Sequence, residues 1–252
     1  MRVLRMLAFH TRLFAGNSYF VQLMITSTVT ILLMQYVASF ASHSPSSASS
    51  AWLRAGLVGT WTVCTVAAGL IGFQRFQGTL VHLVFTPTRA GSTLLPLVGS
   101  ASAFGLFAFP LAGLLAWILR LHPQVSWQLV PAVFVFWLAC LSISCAVAAL
   151  FVLTPYAMTY EGLLVAPLIL VSGIFGIPAS IEHWAVPVSY LLPTSSAVRA
   201  VLDAGSTSTT ESSFWGAIAV SVAVSLAWFA LSTVLLKRAL IKAHRDASLE
   251  VM

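Results

Sequence analysis

Charge is what this chain has least of. Only 7% of its 252 residues are Asp, Glu, Lys or Arg, whereas 59% are hydrophobic. A water-soluble domain keeps about a quarter of its residues charged, so these proportions exclude an ordinary soluble globule. Lysine is scarce: Lys237 and Lys242 are the only two, and neither follows a glycine. A P-loop requires Gly-x-x-x-x-Gly-Lys-Ser/Thr, because backbone N–H groups and the lysine together hold the phosphates. The chain has no such site of its own. No Asp, Glu, Lys or His lies at mid-depth in any long apolar run. Ion-driven carriers keep ionisable groups there, where they are costly and therefore functional, so a proton or sodium relay has no residues to use. Glu161, at the edge of the fifth run, reads as a helix-start carboxylate favoured by the helix dipole. A substrate or coupling role is its sharper alternative.

Catalytic and metal-binding constellations are missing too. Cys64, Cys140 and Cys145 fall inside apolar runs, without zinc or redox spacing, and read as small packing residues. The six histidines (His10, His43, His82, His122, His183 and His244) are scattered over links and ends, and no pair has metal-ligand spacing. An intramembrane serine protease needs a nucleophile and a facing histidine. Ser172-Gly173 offers the first, and no apolar run supplies the second. The reading assigns no catalytic residue, no metal and no bound cofactor.

Apolar length is abundant. Mean hydropathy is +0.97, and the apolar residues fall in six runs: 19–41, 52–73, 94–119, 128–153, 162–177 and 214–236. About twenty residues cross a ~30 Å hydrocarbon core, so an all-α integral membrane protein with six transmembrane helices is expected. The chain reads as one domain over 1–252: an amphipathic helix at 1–18, six spans over 19–236 and a basic cytoplasmic tail at 237–252. Ser39-Phe40-Ala41 resembles a signal cleavage site, but the run before it is too long for a signal core. At the N-terminus Val3, Leu4, Leu7 and Phe14 share one helical face, and Arg2, Arg5 and Arg12 the other. An interfacial helix and a plain charged flank both fit that pattern.

Basic residues set the orientation. With both ends inside, nine of the twelve Lys and Arg are cytoplasmic, leaving Arg54, Arg120 and Arg199 outside. The net charge of +6 therefore reads as membrane orientation, not as a nucleic-acid surface. Small residues at helical spacing, as in Ala101/Gly105, Ala112/Ala116, Ala217/Ser221/Ser225 and Ala219/Ala223/Ala227, let helix backbones approach in lipid. They serve packing within the subunit or a dimer seam.

Two links stand out. In the cytoplasmic link at 74–93, Phe76, Leu80, Leu83 and Val84 form one apolar stripe, broken by Thr86-Pro87 and Gly91. The outer link at 178–213 is interrupted by Pro178, Pro187 and Pro193 yet stays apolar, which predicts short re-entrant helices between spans five and six. There, Arg199 and Asp203 are one helical turn apart, as a local staple or a gate latch.

The residues of these links resemble the permease subunits of type-2 bacterial ABC exporters, the ABC-2 type. Gln74-Arg75-Phe76-Gln77-Gly78-Thr79-Leu80, followed by His82 and by Thr86-Pro87, looks like that family's coupling helix, which sits in a groove of the ATPase subunit. Ser172-Gly173-Ile174-Phe175-Gly176-Ile177-Pro178, then Trp184, Pro187 and Leu191-Leu192-Pro193-Thr194, looks like its paired re-entrant helices at the outer gate. The acidic residues usual around the coupling stretch are replaced by Gln74 and Gln77.

The resemblance implies an exporter permease of drug- or antibiotic-exporter character, moving a hydrophobic or amphiphilic cargo (drug, antibiotic, lipid or small peptide). It implies ABC ATPase subunits as partners, ATP and Mg bound on them, and a second permease copy or paralogue beside this one. Arg75, Phe76, Gln77, Gly78, Thr79, His82 and Arg89 would couple to the ATPase. Phe175, Pro178, Trp184, Pro187, Pro193, Arg199 and Asp203 would form the outer gate. Localisation would be the bacterial inner membrane, with both termini cytoplasmic. A polysaccharide or lipid-linked glycan exporter, a channel without ATP coupling and an accessory or immunity membrane protein are the alternatives.

Overall fold

The structure, a computed structural model, describes residues 2–15, 18–42, 45–78, 90–121, 123–153, 163, 166–205 and 211–246. Among them the regular elements are all helical: α1 (Arg2–Ala15), α2 (Ser18–Ser42), α3 (Pro45–Phe76), α4 (Ala90–Ala103), α5 (Ala108–Ile118), α6 (Leu129–Leu153), α7 (Glu182–Ser189), α8 (Pro193–Ala204) and α9 (Glu211–Asp246). In lipid no water is available for unpaired N–H and C=O groups, so spanning segments close their hydrogen bonds internally.

Five runs are long and apolar enough to cross a membrane: Ser18–Ser39, Ser50–Gln74, Leu95–Ile118, Leu129–Val152 and Glu211–Ala239. They correspond to five of the six expected spans. The remaining one, 162–177, lies partly outside the described residues. Its described part is helical at 166–171 and then opens into turns. Helix does not continue to 177 because Gly173 and Gly176 adopt φ of 78° and 83°, a left-handed backbone that favours glycine. At the other end of the chain, the expected tail is helical as far as Asp246 within α9.

α3 and α6 form the centre. α3 packs against α2, α6, α5 and α4, and α6 against α9, α3 and α8. Several hydroxyls in this apolar interior bond back to their own helix: Ser142 Oγ donates to Ala139 O at 2.7 Å, and Thr65 Oγ1 to Trp61 O at 2.9 Å. Ser144 Oγ reaches across as well, donating to Cys64 O of α3 at 2.7 Å.

The third span is not one regular helix. A 3-10 turn at Phe104–Phe107 joins α4 to α5. Gly105 O accepts the Ala108 N–H in this turn, and Thr60 Oγ1 of α3 is its second donor, at 2.8 Å. A Cβ at Gly105 would lie 3.1 Å from Thr60 Cα, so the backbones meet there because residue 105 has no side chain.

The small-residue pairs divide. Ala101, Gly105, Ala112, Ala116, Ser221 and Ser225 are buried inside the subunit, whereas Ala219, Ala223 and Ala227 are exposed on the opposite side of α9. α1 lies chiefly against α4. Phe14 is buried with its ring edge-on to Phe20, 5.2 Å between centroids, while Arg5 and Arg12 are exposed.

Candidate functional site

The alternating helices give the bundle two ends: a near end, where α3 finishes and α4 begins, and a far end that carries α7 and α8. At the near end the predicted coupling stretch starts inside a helix rather than after it. Gln74, Arg75 and Phe76 are the last residues of α3. The Gln77 N–H donates to Phe73 O at 3.0 Å, and Gly78 follows in a turn with φ of 71°. Gln77 and Gly78 are both exposed. Thr79, His82 and Arg89, and the rest of the apolar stripe beyond Phe76, lie outside the described residues, as does Glu161. Beside this end is an apolar cavity of about 490 Å³ between α3, α4, α6 and α9, lined by Ile71, Val98, Cys145, Ala148, Phe229 and Leu236 among others. A second cavity, of about 440 Å³, lies in the far half among Trp52, Phe109, Val130 and Phe134.

At the far end the link forms two short helices; Pro187, expected to interrupt it, lies inside α7, which is continuous from Glu182 to Ser189. α7 is mostly exposed and α8 is not. Pro193 begins α8, where its missing N–H costs nothing. Residues from Pro193 to Val198, with Ala200 and Val201, are buried against α9, α6 and α3. Side chains of α9 and of the segment before α6 hold both ends of this helix. Ser221 Oγ donates to Pro193 O at 2.8 Å, Trp228 Nε1 to Leu191 O at 2.9 Å, and Ser126 Oγ to Ala204 O at 2.6 Å. Ser195 Oγ turns back to Ser189 O at 2.5 Å, closing the corner between α7 and α8.

The predicted gate residues therefore share one end without forming one cluster. Phe175, Pro178, Trp184 and Pro187 are exposed, and Pro193 is buried. Arg199 stacks over the Tyr190 ring, 4.8 Å from its centroid, and donates to Tyr190 Oη at 3.3 Å. That hydrogen bond, and the positive charge behind it, lower the Tyr190 pKa. Asp203, one turn from Arg199, has its pKa raised by burial, with the Arg199 charge acting in the opposite direction.

Sequence reasoning missed one residue. Arg54, counted only as an outer charge, is half-buried in α3, and its Nη1 donates to Ile174 O at 2.9 Å. An arginine inside a long apolar run was the available signal.

Five membrane-length apolar runs, with only helices as regular elements among the described residues, define a multi-pass membrane protein. The chain belongs to the ABC-2 type transporter family, whose sequence profile matches residues 3–204, and it is thus an ABC-2-type permease. No curated protein and no solved structure matches it. The family match runs from α1 to the last residue of α8.

Proposed function

We propose that this permease exports a hydrophobic or amphiphilic molecule (a drug, antibiotic, lipid or small peptide) by alternating access, powered by separate ATPase subunits. The observation that carries the reading is the exposed turn at Gln77 and Gly78, which ends the most buried span of a chain in the ABC-2 family. With no P-loop of its own, the chain needs an external source of free energy. A turn at the end of a well-packed helix is a place where force can be applied.

ATPase subunits binding ATP and Mg close against this turn, on two permease subunits side by side, and the far end opens. The second subunit is another copy or a related permease. The near end then faces the cytoplasm of a bacterial cell, as the nine-to-three distribution of basic residues favours. The near-end cavity, lined almost wholly by apolar atoms, supports an apolar cargo over a glycan.

The test is a mild-detergent pull-down of the tagged chain, with Mg-ATP hydrolysis assayed on the eluate. The same assay is run on Gly78→Pro with Arg89→Glu, after insertion has been confirmed. Proline fixes φ near −65° and cannot occupy the 71° of Gly78. An ATPase that co-purifies with wild type and is lost or uncoupled in the variant supports the reading. A chain that elutes alone, under conditions that preserve other membrane complexes, sinks it.

A further inference from the structure

We infer that Arg54 is a positioning residue that ties the far-end turn to α3, so that displacement of α3 at the near end moves the Gly173–Gly176 turn. The inference rests on the ATP-coupled reading above for the source of that displacement.

The argument starts from an orphaned carbonyl. In a continuing helix the Ile174 C=O would accept the N–H of residue 178, but residue 178 is Pro178, which has none. The helix has already ended at 171, and Ile174, wholly buried, sits between two glycines with positive φ. At membrane depth an unsatisfied carbonyl is costly. The Arg54 guanidinium supplies the donor at 2.9 Å, across 120 residues of sequence.

The other half of the argument is α3 itself. It runs unbroken from Pro45 to Phe76, without an internal proline or 3-10 turn. Within its span from Ser50 to Gln74, 72% of the residues of an apolar 18-residue stretch are buried, the highest share among the five spans. From Arg54 to Arg75 the helix covers roughly 30 Å at 1.5 Å per residue. One stiff element therefore carries the exposed near-end turn at one end and the hydrogen bond to the far-end turn at the other. The two glycines let that turn pivot as a unit.

The experiment uses the full permease with its co-purified ATPase in lipid nanodiscs, carrying Phe175→Cys as reporter. Residue 175 is exposed at the turn, and its labelling by a membrane-impermeant maleimide is timed against a background of the unmodified chain. Arg54, Arg54→Met and Arg54→Lys are compared without nucleotide and with Mg-ATP plus vanadate. Monodisperse elution with bound ATPase is the folding control, and Arg54→Lys, which keeps one donor, covers the case in which Arg54→Met does not insert.

Labelling without nucleotide is expected to accelerate about fivefold in Arg54→Met, the scale on which a lost buried hydrogen bond shifts a conformational equilibrium. The nucleotide-dependent change seen with Arg54 should disappear in Arg54→Met and be partly restored in Arg54→Lys. Equal labelling of Arg54 and Arg54→Met without nucleotide overturns the tether. Faster labelling with an undiminished nucleotide response overturns the transmission of movement. If no ATPase co-purifies, the coupling reading fails instead, and the nucleotide-free arm still decides the tether.

Discussion

α3 and α9 are both membrane-length helices in one bundle, yet they meet opposite surroundings. Compared over an apolar 18-residue stretch of each span, 72% of the α3 residues are buried at a mean hydropathy of 1.6, and 17% of the α9 residues at 2.2. α2, at the same 1.6 as α3, is 22% buried, and α6, at 2.4, is 67% buried. Hydropathy does not sort inner spans from outer ones. Lipid tails are as apolar as leucine, so helices gather in a membrane through close packing and internal hydrogen bonds. α3 has the means for that: Ala51, Ala55, Ala67 and Ala68 are fully buried along it, and Thr60 and Cys64 offer polar atoms to its neighbours.

The sharpest way to break this comparison is to put the same bulky residue on both helices. Ala67→Leu introduces three carbons at a fully buried site of α3, and overpacking of this kind costs about 1–3 kcal/mol or more. Ala223→Leu on the exposed side of α9 should stay within about 0.5 kcal/mol, because lipid accepts leucine as readily as alanine. Thermal unfolding of the two variants in detergent, with yield of inserted protein, reads the difference. If Ala223→Leu is as damaging as Ala67→Leu, then protein rather than lipid covers that side of α9. The Ala219/Ala223/Ala227 series would then be a subunit seam.

A smaller effect sharpens the inner half of the comparison. Thr60→Val keeps the shape of the side chain and removes the hydroxyl that serves Gly105 O at the 3-10 turn. The expected loss is about 1 kcal/mol, since the buried Gly105 carbonyl keeps the Ala108 N–H but loses its second donor. Thr62→Val, whose hydroxyl bonds only within its own helix to Val58 O, is the matched control and should lose less. Equal losses would mean that the break in the third span is not held by α3.

Much of this was legible before the structure. The five membrane-length runs, the two short helices of the 178–213 link, and the interruption at Pro193 follow from apolar length and proline chemistry. The order of burial was not legible from hydropathy, for the reason that α3 and α9 illustrate. The expected coupling stretch was read as following the second span, but Gln74, Arg75 and Phe76 belong to α3 itself. An apolar stripe shows that a segment is helical, not where the preceding helix stops. Arg54 escaped because positive-inside counting treats an arginine as a charge on one side. Its hydrogen-bond acceptor is a carbonyl 120 residues away, and only the fold shows that pairing.

On α9 the buried face also offers a gain. Ser225 Oγ is buried without a hydrogen-bond partner, as is Thr194 Oγ1 of α8, against which α9 packs. An unpaired buried hydroxyl carries a desolvation cost that an apolar residue of similar size avoids. Ser225→Ala should therefore raise stability, by up to about 1 kcal/mol, in contrast to the loss at Thr60. A destabilised Ser225→Ala would show that this hydroxyl is engaged in the membrane, and the seam between α8 and α9 would count as a polar contact.

The smallest expected effect lies at the far end, where water replaces lipid as the solvent and burial acts on charge. Asp203 is partly buried in α8, and burial raises its pKa above the ordinary 3.8. A raised carboxyl pKa means that the folded protein binds the proton more tightly than the unfolded chain does. That contribution to stability is complete below 3.8 and is lost as pH rises through the raised value. Above that range the ionised group is a modest burden, relieved in part by the positive charge of Arg199. Asp203→Asn should then melt slightly higher than wild type at neutral pH, with the gap closing as the pH is lowered toward 4. Arg199→Gln should widen the burden and steepen the fall. A melting temperature of Asp203→Asn that tracks wild type at every pH would show that α8 exposes this carboxylate to water, and would move the far end of the bundle outward from the protein interior.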